Sequence, residues 1–117
     1  MTYGIDYKQG DIVLVNVPFT NLVNSKQRPA LVISNDNYNS IVDDIVICGI
    51  TSNLKDNTYS VLLDSSDMIE GHLNCLSIIK ADKIFAIEKK VIKGKLGKVN
   101  SYILNQTKEA IWNLLYD

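Results

Sequence analysis

The sequence predicts a mainly β (α+β) fold: a small, strongly bent antiparallel sheet or barrel with one α-helix at its C-terminus. Three observations lead there. Short apolar runs rich in Ile and Val recur between residues 12 and 87, and β-branched residues favour strands. Polar, turn-forming stretches separate them without helical alternation, which argues against a doubly wound parallel sheet. Beyond residue 99 the apolar residues change to a helical period.

The runs, in order, are Ile12–Val15, Ala30–Ile33, Ile45–Ile50, Val61–Leu63, Leu76–Ile79 and Ile84–Ile87. Turn-forming residues lie between them at Asn21–Lys26, Ser34–Asp44, Thr51–Thr58 and Asp64–His72. Gly94 and Gly97 flank a short piece expected to be a turn or a last edge strand. Val99, Tyr102, Ile103, Ala110, Ile111, Leu114 and Leu115 then fall on one helical face, predicted to pack against the barrel. Asn100 is placed to cap that helix, with Val99 and Leu104 as a hydrophobic staple.

Composition narrows the function classes. The 117 residues, 46% hydrophobic and 21% charged, fit one compact domain over 1–117 and exclude a disordered or fibrous chain. The formal charge is only −1, but it is unevenly spread. Residues 1–79 carry four basic and nine acidic groups, whereas residues 80–98 carry seven lysines against Asp82 and Glu88. Such a block is either a solvated face or a surface for an anionic partner. No run approaches the ~18 apolar residues of a membrane helix. The N-terminus lacks the basic-then-apolar shape of a signal peptide, so a cytoplasmic protein with no membrane contact is expected. Cys48 and Cys75 lie in apolar runs and are expected to be buried thiols. With His72 as the only histidine there is no zinc pattern and no His–His acid/base pair. No phosphate-binding glycine motif appears, and no cofactor is expected.

Three places can carry chemistry. Arg28 is the only arginine and precedes Pro29, which biases it towards an extended conformation at a loop–strand junction. Its planar fork suits a phosphate. Thr51-Ser52-Asn53 follows the run Ile45–Ile50. Hydroxyls and an amide there can grip phosphate oxygens or cap a turn. Asp82 lies between Lys80 and Lys83, as a salt-bridge cluster or as a base beside cations.

The order of these pieces is more specific than any one of them. Gly10-Asp11-Ile12-Val13-Leu14-Val15 opens the first strand. Lys26-Gln27-Arg28-Pro29-Ala30-Leu31-Val32-Ile33 follows a polar loop, Thr51-Ser52-Asn53 follows Asp44–Ile50, and Ser77-Ile78-Ile79-Lys80-Ala81-Asp82-Lys83-Ile84 comes last. Over roughly residues 8–115 this resembles the MazF/PemK family of toxin endoribonucleases. The resemblance implies an SH3-like antiparallel barrel with a C-terminal helix. It also implies a homodimer that cuts single-stranded RNA without a metal and is silenced by a cognate acidic antitoxin, with operator DNA bound only through that antitoxin. The family arginine maps onto Arg28 and the threonine after the next long strand onto Thr51. The Arg-x-Asp triplet of the PemK branch maps onto Lys80-Ala81-Asp82, with lysine in place of arginine. Ser25, Lys26, Gln27, Ser52, Asn53 and Lys83 are the implied RNA contacts. Some PemK-like members carry a histidine in the loop before Arg-Pro; Asn21–Gln27 has none.

The chemistry implied is attack of the RNA 2′-OH on its own adjacent phosphate. That needs a base, stabilisation of a crowded phosphorane, and an acid for the departing 5′-oxygen. Arg28 and Thr51 are expected to hold the phosphate and Asp82 to be the base. Arginine is a poor proton donor and a partly buried lysine a better one, so Lys80 is the candidate acid. The alternatives are a non-catalytic binder on the same fold, either a gyrase poison or a degenerate member that binds only an antitoxin or operator.

Overall fold

The computed structural model describes residues 6–17 and 26–116. Ser25 and most of the loop Asn21–Gln27 therefore lie outside the described residues. Strand β1 (Asp11–Val17) pairs antiparallel with β2 (Lys26–Val32), and β2 with β3 (Asp44–Thr51). Then come β4 (Ser60–Leu63), β5 (Met68–Gly71), β6 (Ser77–Glu88) and β7 (Gly94–Val99). All seven join in one sheet, in the order β4-β6-β3-β2-β1-β7-β5. Helix α1 (Asp36–Ile41) lies between β2 and β3, and α2 (Ser101–Leu115) follows β7.

This order forces the sheet to curl. The edge strands β4 and β5 are opposite ends of the sheet, yet only residues 64–67 join them. Strands lie about 4.8 Å apart, so a flat sheet would separate these edges by about 29 Å. The link from Leu63 to Met68 reaches at most about 18 Å. Only a strongly bent, barrel-like sheet satisfies both lengths, in agreement with the predicted fold class.

The central strands bury both faces, which explains why their sequences read as unbroken apolar runs. On one face Ile12, Leu31, Cys48 and Ile50 pack with Leu63, Ile79, Val99 and Ile103. On the other, Val13, Val15, Ala30, Val32, Ile45 and Ile47 pack with Tyr7. Helix α2 covers β4 and β6. Its N-cap is the expected one: Asn100 accepts a hydrogen bond from the Ile103 N–H at 2.8 Å.

Several expectations need correction. The runs Leu76–Ile79 and Ile84–Ile87 are not two strands but parts of the single strand β6. Gly94–Val99 is not an edge, because β7 pairs with both β1 and β5. The polar stretches Ser34–Asp44 and Asp64–His72 contain α1 and β5. On α2 the buried stripe is Ile103 and Thr107, flanked by Leu104, Ala110 and Ile111, while Tyr102, Leu114 and Leu115 are exposed. Cys48 is buried as expected, but Cys75 is exposed because it precedes β6 in a turn. Nor do the seven lysines of residues 80–98 form one uncommitted strip. Lys80 is buried, Lys89 donates to the Asn39 carbonyl, Lys90 pairs with Glu88, and Lys95 and Lys98 approach the buried Asp11.

Candidate active site

The site is built around an irregularity between β3 and β6. Cys48 pairs with Ile84 and Ile50 with Ile79, so Gly49 alone faces the four residues Lys80-Ala81-Asp82-Lys83. The extra residues make a wide bulge, and bulges re-aim side chains out of the regular alternation. A polar stretch that reads as a turn thus stays within an extended strand and gathers at one place. Lys80 and Ala81 are buried there, while Asp82 and Lys83 reach solvent.

Beside the bulge is a cavity of ≈ 650 Å³. Arg28 enters it from β2, Thr51 from the end of β3, and Lys80, Asp82 and Lys83 from the bulge. Arg28 is half-buried just ahead of the fully buried Ala30–Val32, so its guanidinium stem is fixed by the strand that carries it. Thr51 Oγ1 accepts from the Asn53 N–H at 3.1 Å, and Asn53 Oδ1 from the Lys55 N–H at 3.2 Å. The turn-capping use of this triplet is therefore realised. It leaves the Thr51 hydroxyl proton free to donate to an oxyanion, since a hydroxyl both donates and accepts.

The cavity brings together Arg28, Thr51, Asn53, Lys80, Asp82 and Lys83 of the residues singled out in the sequence. Lys26 and Gln27 are exposed on β2 and, like the exposed Ser52, do not line it. Ser25 lies outside the described residues. Sequence reasoning missed Asp56 and the apolar wall of Ile50, Ile84 and Phe85. The strand prediction over 84–87 held the signal for the wall, but Asp56 is one polar residue among many in its loop.

Lys80 differs most from its sequence reading. Its Nζ donates to Asp56 Oδ1 at 2.8 Å and to the Asp56 and Thr58 carbonyls at 3.0 Å each, with Asp82 Oδ1 at 3.4 Å. Three acceptors engage the three protons of the ammonium, which gives a fixed strut instead of a freely presented proton donor. Cys48, behind the bulge, is no nucleophile. Burial pushes its thiol up to about 12, and the Asp82 carboxylate adds to the rise, so it stays protonated. Among the described residues no group of three or more His, Cys, Asp or Glu is placed to hold a metal ion. None of their helices is long and apolar enough to cross a membrane.

A curled sheet with one covering helix thus carries an Arg/Thr/Asp cavity beside a bulged strand. Residues 8–115 match the model of the PemK-like, MazF-like toxins of type II toxin–antitoxin systems, and the chain belongs to that family. No curated protein matches the sequence closely. Among solved structures, an endoribonuclease from a mycobacterial species superposes with a TM-score of 0.77 at 19% identity, covering 97% of this chain and 95% of that one. A MazE–MazF complex of Deinococcus radiodurans gives 0.76 at 23% identity, covering 95% and 97%. The Mycobacterium tuberculosis toxin MazF-mt6 gives 0.73 at 19%, covering 90% and 95%. A further mycobacterial endoribonuclease was solved with its cognate antitoxin.

Proposed function

We propose that this chain is a metal-independent, sequence-specific endoribonuclease, acting in the cytoplasm as the toxin of a type II toxin–antitoxin system. The observation that carries the proposal is the convergence of Arg28, Thr51 and Asp82 from β2, β3 and β6 on one cavity, in a member of a family whose solved relatives include endoribonucleases. RNA supplies its own nucleophile, the 2′-OH. Asp82, still partly exposed, takes that proton. Arg28 and the Thr51 hydroxyl hold the phosphate and stabilise the negative charge that grows on the phosphorane. The departing 5′-oxygen takes a proton from the solvent that reaches the exposed Asp82 and Lys83, which leaves a 2′,3′-cyclic phosphate and a 5′-OH. DNA lacks the 2′-OH and is bound without being cut. Asn53 and Lys83 border the cavity where flanking nucleotides would lie. Lys26, Gln27 and Ser52 are RNA contacts outside it, and Ser25, which is not among the described residues, is a further RNA contact.

The chain works as a homodimer. Its partner in regulation is an acidic antitoxin segment that covers the cations at the cavity mouth and orders on binding. Operator DNA is met only through that antitoxin. The test is digestion of a long mixed-sequence RNA in EDTA, with mapping of fragment ends. Discrete fragments with cyclic-phosphate and 5′-OH ends are expected, and the matching DNA should stay intact. Intact RNA together with inhibited DNA supercoiling would replace this reading with that of a gyrase poison.

A further inference from the structure

We propose that Lys80 is a positioning residue: its buried ammonium locks the loop between Thr51 and Ser60 onto the β6 bulge, and it does not protonate the leaving group. This rests on the cavity being the RNA-cleaving site, and it assigns the lysine that stands in the arginine position of the Arg-x-Asp triplet.

The loop needs such a lock. Residues 52–59 are all exposed and contribute nothing to either apolar cluster. Their own hydrogen bonds are short-range, such as Asp56 N–H to the Asn53 carbonyl and Ser60 Oγ to the Asn57 carbonyl. What fastens the loop to the sheet comes from two successive bulge residues. Lys80 Nζ takes Asp56 and the Thr58 carbonyl, and the Ala81 N–H takes the next carbonyl, that of Tyr59, at 2.9 Å. Tyr59 has φ +45°, rare for a residue with a side chain and retained only where the surroundings fix it. The double grip supplies that fixing.

Geometry explains the residue type. Three oxygens converge on a single nitrogen at 2.8–3.0 Å, which matches three protons radiating from one atom. A planar guanidinium would spread its donors along a fork and could not meet all three. The same loop carries Thr51 at its root and Asn53 in the cavity wall. A shift of about 1 Å in a group that binds the reacting phosphate is enough to cost about 100-fold in rate.

The experiment combines amide hydrogen exchange over residues 52–59 with cleavage of two RNAs. One is ordinary; the other carries sulfur at the scissile 5′ position, a leaving group that needs no acid. Lys80→Met should lose loop protection and cleave both substrates about 100-fold more slowly. Asp56→Ala removes one of the three acceptors from an exposed position and leaves the core untouched. It should show a partial loss of protection and about a tenfold slower rate on both RNAs, and Lys80→Met/Asp56→Ala should be no worse than Lys80→Met alone. Wild-type rates for Lys80→Met on the sulfur substrate would overturn the proposal and make Lys80 the proton donor. So would unchanged loop protection and full activity in Asp56→Ala, which also serves should Lys80→Met fail to fold. If the wild-type protein cuts neither RNA, the nuclease reading falls, while hydrogen exchange still decides whether Lys80 holds the loop.

Discussion

Lys80 and Asp11 are both sealed from solvent, at 3% and 0% exposure, but their partners differ in kind. Lys80 is a cation held mainly by oxygens of an exposed loop. Asp11 is an anion at the start of β1, held by the frame itself. The Lys8 N–H donates to its Oδ2 at 2.8 Å, and Lys95 and Lys98 on β7 approach its Oδ1 at 3.2 and 3.9 Å. That Oδ1 makes no well-formed hydrogen bond, so charge attraction alone satisfies it. Lys95 also reaches Glu70 on β5 at 3.8 Å, which links three neighbouring strands. At the same seam Gly71 has φ +71°, and a Cβ on Gly71 or Gly97 would drive into the opposite backbone. One buried charge therefore positions a wall of the cavity, and the other clamps the sheet. The two regions should fail differently when altered.

The largest effect is expected at the cavity. Asp82→Asn should reduce the cleavage rate by about 10²–10⁴-fold, the span for losing a general base. The melting temperature should barely move, because Lys80 keeps its three loop acceptors. A variant with the wild-type rate and pH profile would transfer Asp82 to the structural side of the comparison. At the clamp the expected pattern is reversed. Lys95→Met/Lys98→Met strands a fully buried carboxylate and should cost about 3–5 kcal/mol in denaturant unfolding. The activity of the molecules still folded should be unchanged. Asp11→Asn should cost less, because side chains 33% and 31% exposed can turn their charges to water. Next comes Arg28→Ala, with kcat lower by about 100-fold, and Thr51→Ala, with the same or a somewhat smaller loss. Neither should lower stability appreciably, and full activity in Arg28→Ala would remove the proposed site.

The last effect is confined to alkaline pH and belongs to Cys48, which is packed in the core and feels the Asp82 charge. Its thiol is raised from 9.0 to about 12 in the folded protein. Between those values the unfolded chain releases the proton and the folded chain keeps it. Stability is therefore intact below that window and falls with rising pH inside it, by about 1.4 kcal/mol per pH unit. Tyr7, raised by burial and then by Asp11, adds in the same direction above 10.0. Unfolding measured from pH 8 upward should show a flatter alkaline limb in Cys48→Ala, and an unchanged limb would mean that the thiol ionises in place.

The two regions were not equally legible in the sequence. Arg28, Thr51 and Asp82 could be picked out because each adjoins an apolar strand at a recognisable spacing. The strands of the core could be read because Ile and Val fill both faces. The bulge could not: Lys80-Ala81-Asp82-Lys83 is polar enough to pass for a turn, and what keeps it extended is distant in sequence, the pairing of β6 with β3 on both sides of Gly49 and of Lys80 with Ser60 on β4. The role of Asp56 was hidden because nothing in its loop indicates which carbonyls a distant lysine will find. Helix α1 was missed because its buried residue is polar: Asn39 donates to the Ser34 and Tyr7 carbonyls, a use that hydrophobic periodicity does not register.

The short link between β4 and β5 also bears on aggregation. An open sheet offers two rows of unpaired backbone groups to which another chain can add. Here both outer strands are only four residues long, and residues 64–67 tether them to each other. Asp64 and Asp67 lock the tether as a reciprocal cap, each carboxylate accepting from the other residue's backbone N–H. An intruding strand at one edge would have to work beside the opposite edge, in the narrow gap the tether leaves. Cutting that link would release both edges at once, turning a self-limited barrel into a template for stacking.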